Sequence, residues 1–143
     1  MKITPKIIKI SRLVKSEDLN HHGTLFAGRS AEWFVEAGFI AAASLLDPNS
    51  LVCLKIHGMQ FTKPVKAGGI ITLHSKVVYV GKSSLVTHIN VISDEYENSL
   101  VNGFITFIYV DKNTKPQAHY IELSLEKVED IQLSRIASEL KNK

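Results

Sequence analysis

Residues 27–46, AGRSAEWFVEAGFIAAASLL, make one long and mostly apolar segment with helical spacing, while the chain after it falls into strand-length pieces. Asp47-Pro48-Asn49 ends the helix, because the residue before a proline is pushed out of the helical region. Four runs rich in β-branched and aromatic residues follow, at 51–61, 69–80, 84–93 and 100–110. They are punctuated by Lys63-Pro64 with Gly68-Gly69, by Gly81-Lys82-Ser83, and by Asp94 to Asn98. The short connections predict antiparallel neighbours, since a parallel pair needs a long crossover. Residues 5–14 alternate in part and read as a first strand. One strand, one long helix and a meander of four strands or more give an α+β protein, with the helix packed on an antiparallel sheet.

At about 100° per residue, Ala31, Val35, Gly38, Ala42 and Leu45 share one side of the helix, with Phe34 and Ala41 just beyond. This is the side a sheet is expected to cover, and it puts Val35 on the buried face near its boundary. Glu32, Glu36 and Arg29 line the polar margin. The glutamates fit a solvated edge with Arg29–Glu32 as an i,i+3 pair, or an acid working in a cleft as general base.

The 143 residues, 45% hydrophobic and 22% charged, fit one domain over 1–120. Residues 121–143 form a separate extension, where Leu125, Val128, Ile131, Ile136 and Leu140 approximate the stripe of an amphipathic helix. A net charge of +3 without an arginine-rich patch argues against a nucleic-acid partner. The longest apolar segment, Phe34 to Leu46, contains Glu36 and Ser44 and is too short to span a bilayer, which argues against a membrane partner. The sequence begins without a recognisable secretory leader, so a cytoplasmic location is expected. Cys53 is the single cysteine, and among Leu51, Val52 and Leu54 it is expected to be a buried structural thiol. Met59 and Phe61 read as core.

Immediately before the helix stands the turn NHHGTLFAG, residues 20–28. Gly23 and Gly28 permit unusual backbone geometry, and a helix start offers unsatisfied N–H groups at the positive end of its dipole. Such donors suit an oxyanion or a thioester carbonyl.

DLNHHGTLFAGRSAEWFVEAG (18–38) resembles the D-x-N-x-x-G-x-x-x-x-G…(D/E)EAG segment of hot-dog-fold acyl-CoA thioesterases. MQFTKPVKAGGIITLHSKVVYVGKSSL (59–85) is similar to that family's continuation through a "KPV" turn and a "YVG(R/K)(T/S)S" hairpin, and GFITFIYVDKNTKP (103–116) to its closing strand. The resemblance covers roughly residues 6–118 and rests on the order and spacing of these pieces. It implies a hot-dog fold, a sheet wrapped around one long helix, in subunits that pair edge to edge and often build tetramers or hexamers. It implies hydrolysis of an acyl thioester, on CoA or acyl-carrier protein, at the dimer interface, without metal or organic cofactor. It assigns Asn20 to positioning the carbonyl or the attacking water, and the Gly28 N–H to the oxyanion hole.

The family's catalytic acid stands directly before the EAG of Glu36-Ala37-Gly38, where this chain has Val35. Valine cannot accept a proton, and loss of a general base typically removes a factor of about 10²–10⁴ in rate. Either Glu32 or Glu36 replaces it, or Asn20 and backbone donors carry the chemistry, or the protein binds acyl-CoA without efficient hydrolysis. A hot-dog dehydratase is disfavoured, since no histidine occupies the helix start.

The resemblance also points to His22, Gly23 and Thr24 of the turn for substrate contact. It points likewise to Tyr79, Gly81, Lys82, Ser83 and Ser84 of the hairpin for pantetheine and phosphate. His21 with His22 otherwise caps the turn, and Lys63 and Lys66 are further cations near Pro64. His57 reads as a core-edge histidine with one nitrogen satisfied. His74 and His88 lack a third ligand, so no zinc site is expected.

Overall fold

The computed structural model describes residues 1–95 and 99–141. Tyr96, Glu97 and Asn98, part of the turn expected after residue 93, lie outside the described residues. The elements are β1 (Lys2–Ile3), β2 (Ile8–Leu13), α1 (Ala27–Ala43), β3 (Leu51–His57), β4 (Ile70–Val80), β5 (Ser84–Ser93), β6 (Val101–Tyr109), β7 (Glu122–Leu123) and α2 (Val128–Lys141). The expected strands and helix are present, with α1 ending at Ala43 rather than Leu46.

Five strands form one antiparallel sheet in the order β2-β4-β5-β6-β3, and β1 pairs in parallel with β7. The meander expectation holds for β4, β5 and β6 and fails for β3. Residues 58–69 carry the chain from β3 to β4 across the fold, so β3 pairs with β6 at the far edge. That position explains why Cys53 is exposed instead of buried: β3 has one edge unpaired, and from Val52 to Ile56 every residue is exposed. Phe61, in the same crossover, is 46% exposed and is not core, whereas Met59 packs against the core.

The core lies between α1 and the concave face of the sheet, where Trp33, Phe34, Ala37 and Ala42 meet Ile71, Leu73, Leu85, Ile89, Ile105 and Phe107. Gly38 permits this approach: a Cβ there would come within 3.0 Å of Thr87, Ile89 and Ile105 side chains. The buried stripe is centred on Phe34, Ala37, Gly38 and Ala41, not beside Val35. Val35 is half-buried and turns toward an open groove.

The opposite face of the sheet is covered by α2. Ala137, Leu133 and Leu140 pack on Val78, Val86 and Phe104. Val128, Ile131 and Ile136 of the expected stripe are exposed instead. An ion pair stands on the same inward side. Lys76 of β4 and Asp130 of α2 form a buried ion pair, 8% and 4% exposed, and Glu129 lies 3.9 Å from the same ammonium.

Candidate active site

The turn before α1 is organised by Asn20. Its Oδ1 accepts from the backbone N–H groups of His22 at 2.9 Å and Thr24 at 3.2 Å, and its own N–H donates to the Thr24 carbonyl at 2.7 Å. An Asn side chain that mimics a backbone turn in this way is held in one orientation, and its Nδ2 is left to donate elsewhere. Gly23 takes a φ of +79° to close the turn. His21 and His22 stack with ring centroids 3.9 Å apart and are exposed.

Asp18, which the sequence reading used only as a motif letter, anchors this turn to the helix. It is 4% exposed, accepts from the Lys15 N–H at 2.9 Å, and pairs with Arg29 Nε at 3.3 Å. Its carbonyl accepts from the Phe26 N–H. The signal was present in the spacing Asp18–Asn20, but the partner Arg29 on α1 is set by the fold.

The helix start lacks a side-chain cap, because Phe26 occupies that place. The N–H groups of Arg29 and Ser30 both donate to the Phe26 carbonyl. Those of Ala27 and Gly28 have no backbone acceptor among the described residues. Two donors therefore remain at the positive end of the helix dipole. The Phe26 ring lies over Gly28, where an added Cβ would meet it at 2.5 Å, so the glycine keeps this approach open.

The first turns of α1 separate two recesses. On one side is a cleft of about 280 Å³ lined by Asn20, Ala27, Ser30, Val65, Ile71 and Leu100, among others. On the other is a shallow apolar groove of about 560 Å³, which includes Gly28, Glu32, Val35, Glu36, Cys53 and Met59. Asn20 and the two glutamates thus do not share a cavity within one protomer.

The glutamates differ in their partners. Glu36 pairs with Arg12 of β2, whose guanidinium also lies 5.5 Å from the centre of the Trp33 ring. Glu32 is the freer group, 69% exposed and 3.4 Å from Arg29, which is shared with Asp18. Partial burial pushes the Cys53 thiol above its ordinary pKa, so at neutral pH it is a thiol and not a nucleophilic thiolate.

The hairpin 79–84 stands at the other end of the sheet. The Asn20 cleft is lined by Ile71 near the start of β4, and the hairpin follows Val80 at its end, a span of roughly 30 Å at strand rise. Lys82 is exposed, but Ser84 is 2% exposed with its hydroxyl buried. The loop is held by His119, whose N–H donates to the Lys82 carbonyl and whose Nε2 donates to the Ser84 carbonyl. No residue of this hairpin reaches the Asn20 cleft of its own chain.

His57 Nε2 meets Thr106 Oγ1 at 2.6 Å, and desolvation followed by nearby Lys55 lowers its pKa. His74 and His88 are likewise lowered, first by desolvation. Among the described residues no three His, Cys, Asp or Glu side chains are grouped to hold a metal. No described helix is long and apolar enough to cross a membrane.

Residues 22–98 match the sequence profile of the thioesterase superfamily. An uncharacterised acyl-CoA thioester hydrolase of Bacillus subtilis is 31% identical over 115 residues, 78% of this chain and 66% of that protein. This chain therefore spans just under two thirds of that relative. A second such hydrolase, from Buchnera aphidicola, is 27% identical over 81% of this chain and 90% of its own. The fold is also that of a hexameric acyl-CoA thioesterase crystallised without ligand, with a TM-score of 0.84 at 24% identity over 95% of this chain and 88% of the other. It is shared as well with the Staphylococcus aureus acyl-CoA hydrolase crystallised with butyryl coenzyme A and coenzyme A, at a TM-score of 0.80 and 23% identity over 95% and 82%. The hot-dog architecture expected from the sequence is thus the one present.

Proposed function

This chain belongs to the thioesterase superfamily, and on that premise we propose that it hydrolyses acyl-CoA thioesters to a free acid and CoA at a site completed by a second copy. The observation that carries the reading is the uncapped start of α1. The N–H groups of Ala27 and Gly28 have no backbone acceptor among the described residues; Ala27 lines the cleft with Asn20, whose amide is oriented by its own turn, and Gly28 lines the groove on the other side of α1. These are donors for the oxyanion formed when water adds to the thioester carbonyl. The intermediate then collapses with loss of the thiolate, which takes up a proton.

Glu32 is the group we assign to accept the proton from water. It lies one helical turn beyond Gly28 on the same face, and both line the groove. In the S. aureus hydrolase, variants have been crystallised in which an asparagine and an aspartate are replaced by alanine, and those two stand at the same separation as Asn20 and Val35. This supports reading Val35 as the acid position.

The acids and the amide open on different sides of α1, and β3 leaves an unpaired edge with Val52, Leu54 and Ile56 exposed. An edge of this kind is a template for pairing with another copy. Homodimers that build tetramers or hexamers fit it, and hexameric assembly is stated of structural neighbours. A second copy is also what would bring the hairpin 79–84 to the site. The reaction needs no cofactor, and a cytoplasmic location accompanies the reading.

The test is release of CoA from acyl-CoAs of two to sixteen carbons, followed with a thiol-reactive dye. Turnover above background is expected. Tight acyl-CoA binding with no CoA release would instead make this an acyl-CoA-binding protein.

A further inference from the structure

A second recess, of about 430 Å³, lies at the other end of α1 from Asn20. Its floor is Ala41 of α1 and Leu45 just beyond the helix end with Val77 of β4, and its roof is the N-terminal strap of residues 2–6 with Leu123 of β7. The strap is fastened at both sides. Glu122 N–H donates to the Met1 carbonyl, Ser124 N–H to the Ile3 carbonyl, and the Met1 ammonium to the Tyr120 carbonyl. The parallel pairing of β1 with β7 therefore makes a wall that the five-stranded sheet does not supply.

The lining is apolar at depth and cationic at the rim. Ala41 and Val77 are fully buried, and Ile3, Pro5, Leu45 and Leu123 are partly so. Lys2 and Lys6 border the opening, make no ion pair or side-chain hydrogen bond among the described residues, and no acidic side chain lines the cavity. Thr4 and Ser44 add hydroxyls, and the Ser44 hydroxyl already donates to the Ala41 carbonyl. The carboxyl end of α1 and Glu122, in register with Lys2, are the negative features nearby. They place the favourable position for an anion on the Lys6 side of the opening.

The geometry points to a binding site for an alkyl carboxylate, its tail among Ala41, Leu45, Val77 and Leu123 and its carboxylate at the Lys2 and Lys6 ammonium groups. At about 430 Å³ the recess is within the size range of small-molecule sites. Apolar walls with a few convergent polar groups are the usual make-up of a small-molecule site. This site is separate from the cleft beside Asn20. It rests on the proposed hydrolysis only in that a free carboxylate of this class is the product of that reaction.

Titration of the full-length protein with decanoate, followed by backbone amide NMR shifts and calorimetry, tests the assignment. Shifts are expected at Ala41, Leu45, Val77 and Leu123, with weaker binding of decanol. The double variant Lys2→Glu/Lys6→Glu is expected to weaken decanoate binding at least fivefold and leave decanol unchanged. Ala41→Leu, which fills the floor by one modest side chain, is expected to weaken both ligands. Equal affinity for decanoate in the wild type and the double variant would overturn the proposal. So would shifts confined to Asn20, Leu25 and Leu100, which would mean that product binds only at the catalytic cleft. CoA release measured in parallel separates the two readings, since a protein without thioesterase activity can still show decanoate shifts at Ala41.

Discussion

Arg12 reaches from the edge strand β2 to pair with Glu36 on α1, its guanidinium lying against the ring of Trp33. A carboxylate hydrogen-bonded to arginine is restricted in direction. Glu32 has only the longer contact to Arg29, which is already shared with Asp18. Glu32→Gln is therefore expected to lower kcat by at least tenfold, and Glu36→Gln by less than threefold, as read by steady-state CoA release. The opposite ranking would move the base to Glu36, and full activity in both would remove either glutamate from the chemistry.

Asn20 Oδ1 holds the turn through His22 and Thr24, while in the proposed reaction Nδ2 is the group that donates to substrate. Asn20→Asp keeps the acceptor and loses the donor. The variant is expected to melt within a few degrees of the wild type and to lose at least tenfold in kcat/KM. A large fall in Tm with proportionate loss of activity would mean that the residue serves the turn alone.

Val35 lines the groove with Glu32, and in the proposed reading it stands at the acid position. Val35→Asp restores a carboxylate on the half-buried face of α1, and a positioned general base is worth about 10²–10⁴ in rate. An increase of at least tenfold in kcat is expected in the Glu32→Gln background. No increase would show that the groove no longer presents water to this position.

Lys76 and Asp130 join β4 to α2 from within a buried contact. Removing one partner of such a pair strands the other charge and costs about 3–5 kcal/mol, whereas replacing both with apolar groups is often neutral. Asp130→Ala should lower urea stability by that order, and Lys76→Met/Asp130→Leu should recover most of it. Equal loss in single and double variants would mean that shape, not charge, is what the pair supplies.

His88 is held below the ordinary histidine pKa by desolvation and by Lys76, against the opposing effects of Asn102 and Glu129. Burial lowers His57 and His74 as well. Such groups bind fewer protons folded than unfolded. Their full contribution is present above the unfolded pKa of about 6.5 and is lost as pH falls below it toward the folded values. Urea unfolding should therefore show lower stability at pH 5.5 than at 7.5, with a shallower fall in His88→Gln. An identical slope in that variant would clear His88 of a part in it.

Much of this protein was legible in one dimension. The 3.6-residue spacing of 27–46 and the strand-like runs after it set one long helix and an antiparallel sheet, because periodicity records which faces are buried. The turn at Asn20 was equally readable, since the hydrogen bonds that close it join residue 20 to residues 22, 23 and 24. Other features depended on neighbours distant in sequence. Cys53 and Phe61 look like core by their local apolar context, but the crossover 58–69 carries β3 to the open edge of the sheet. The inward side of α2 is set by partners distant in sequence: Ala137, Leu133 and Leu140 pack on Val78, Val86 and Phe104, beside the Lys76–Asp130 pair.

The sequence by itself determined the elements, the fold class and the motif around Asn20, all of which follow from local propensity and hydrophobic period. Tertiary structure alone decided that Glu36 is engaged by Arg12 while Glu32 is left freer, and that Asp18 ties the turn to Arg29. It also decided that Asn20 and the glutamates open on opposite sides of α1. Those relationships are distances between side chains on different elements, and a spacing along the chain carries no information about them until the sheet has curled around the helix.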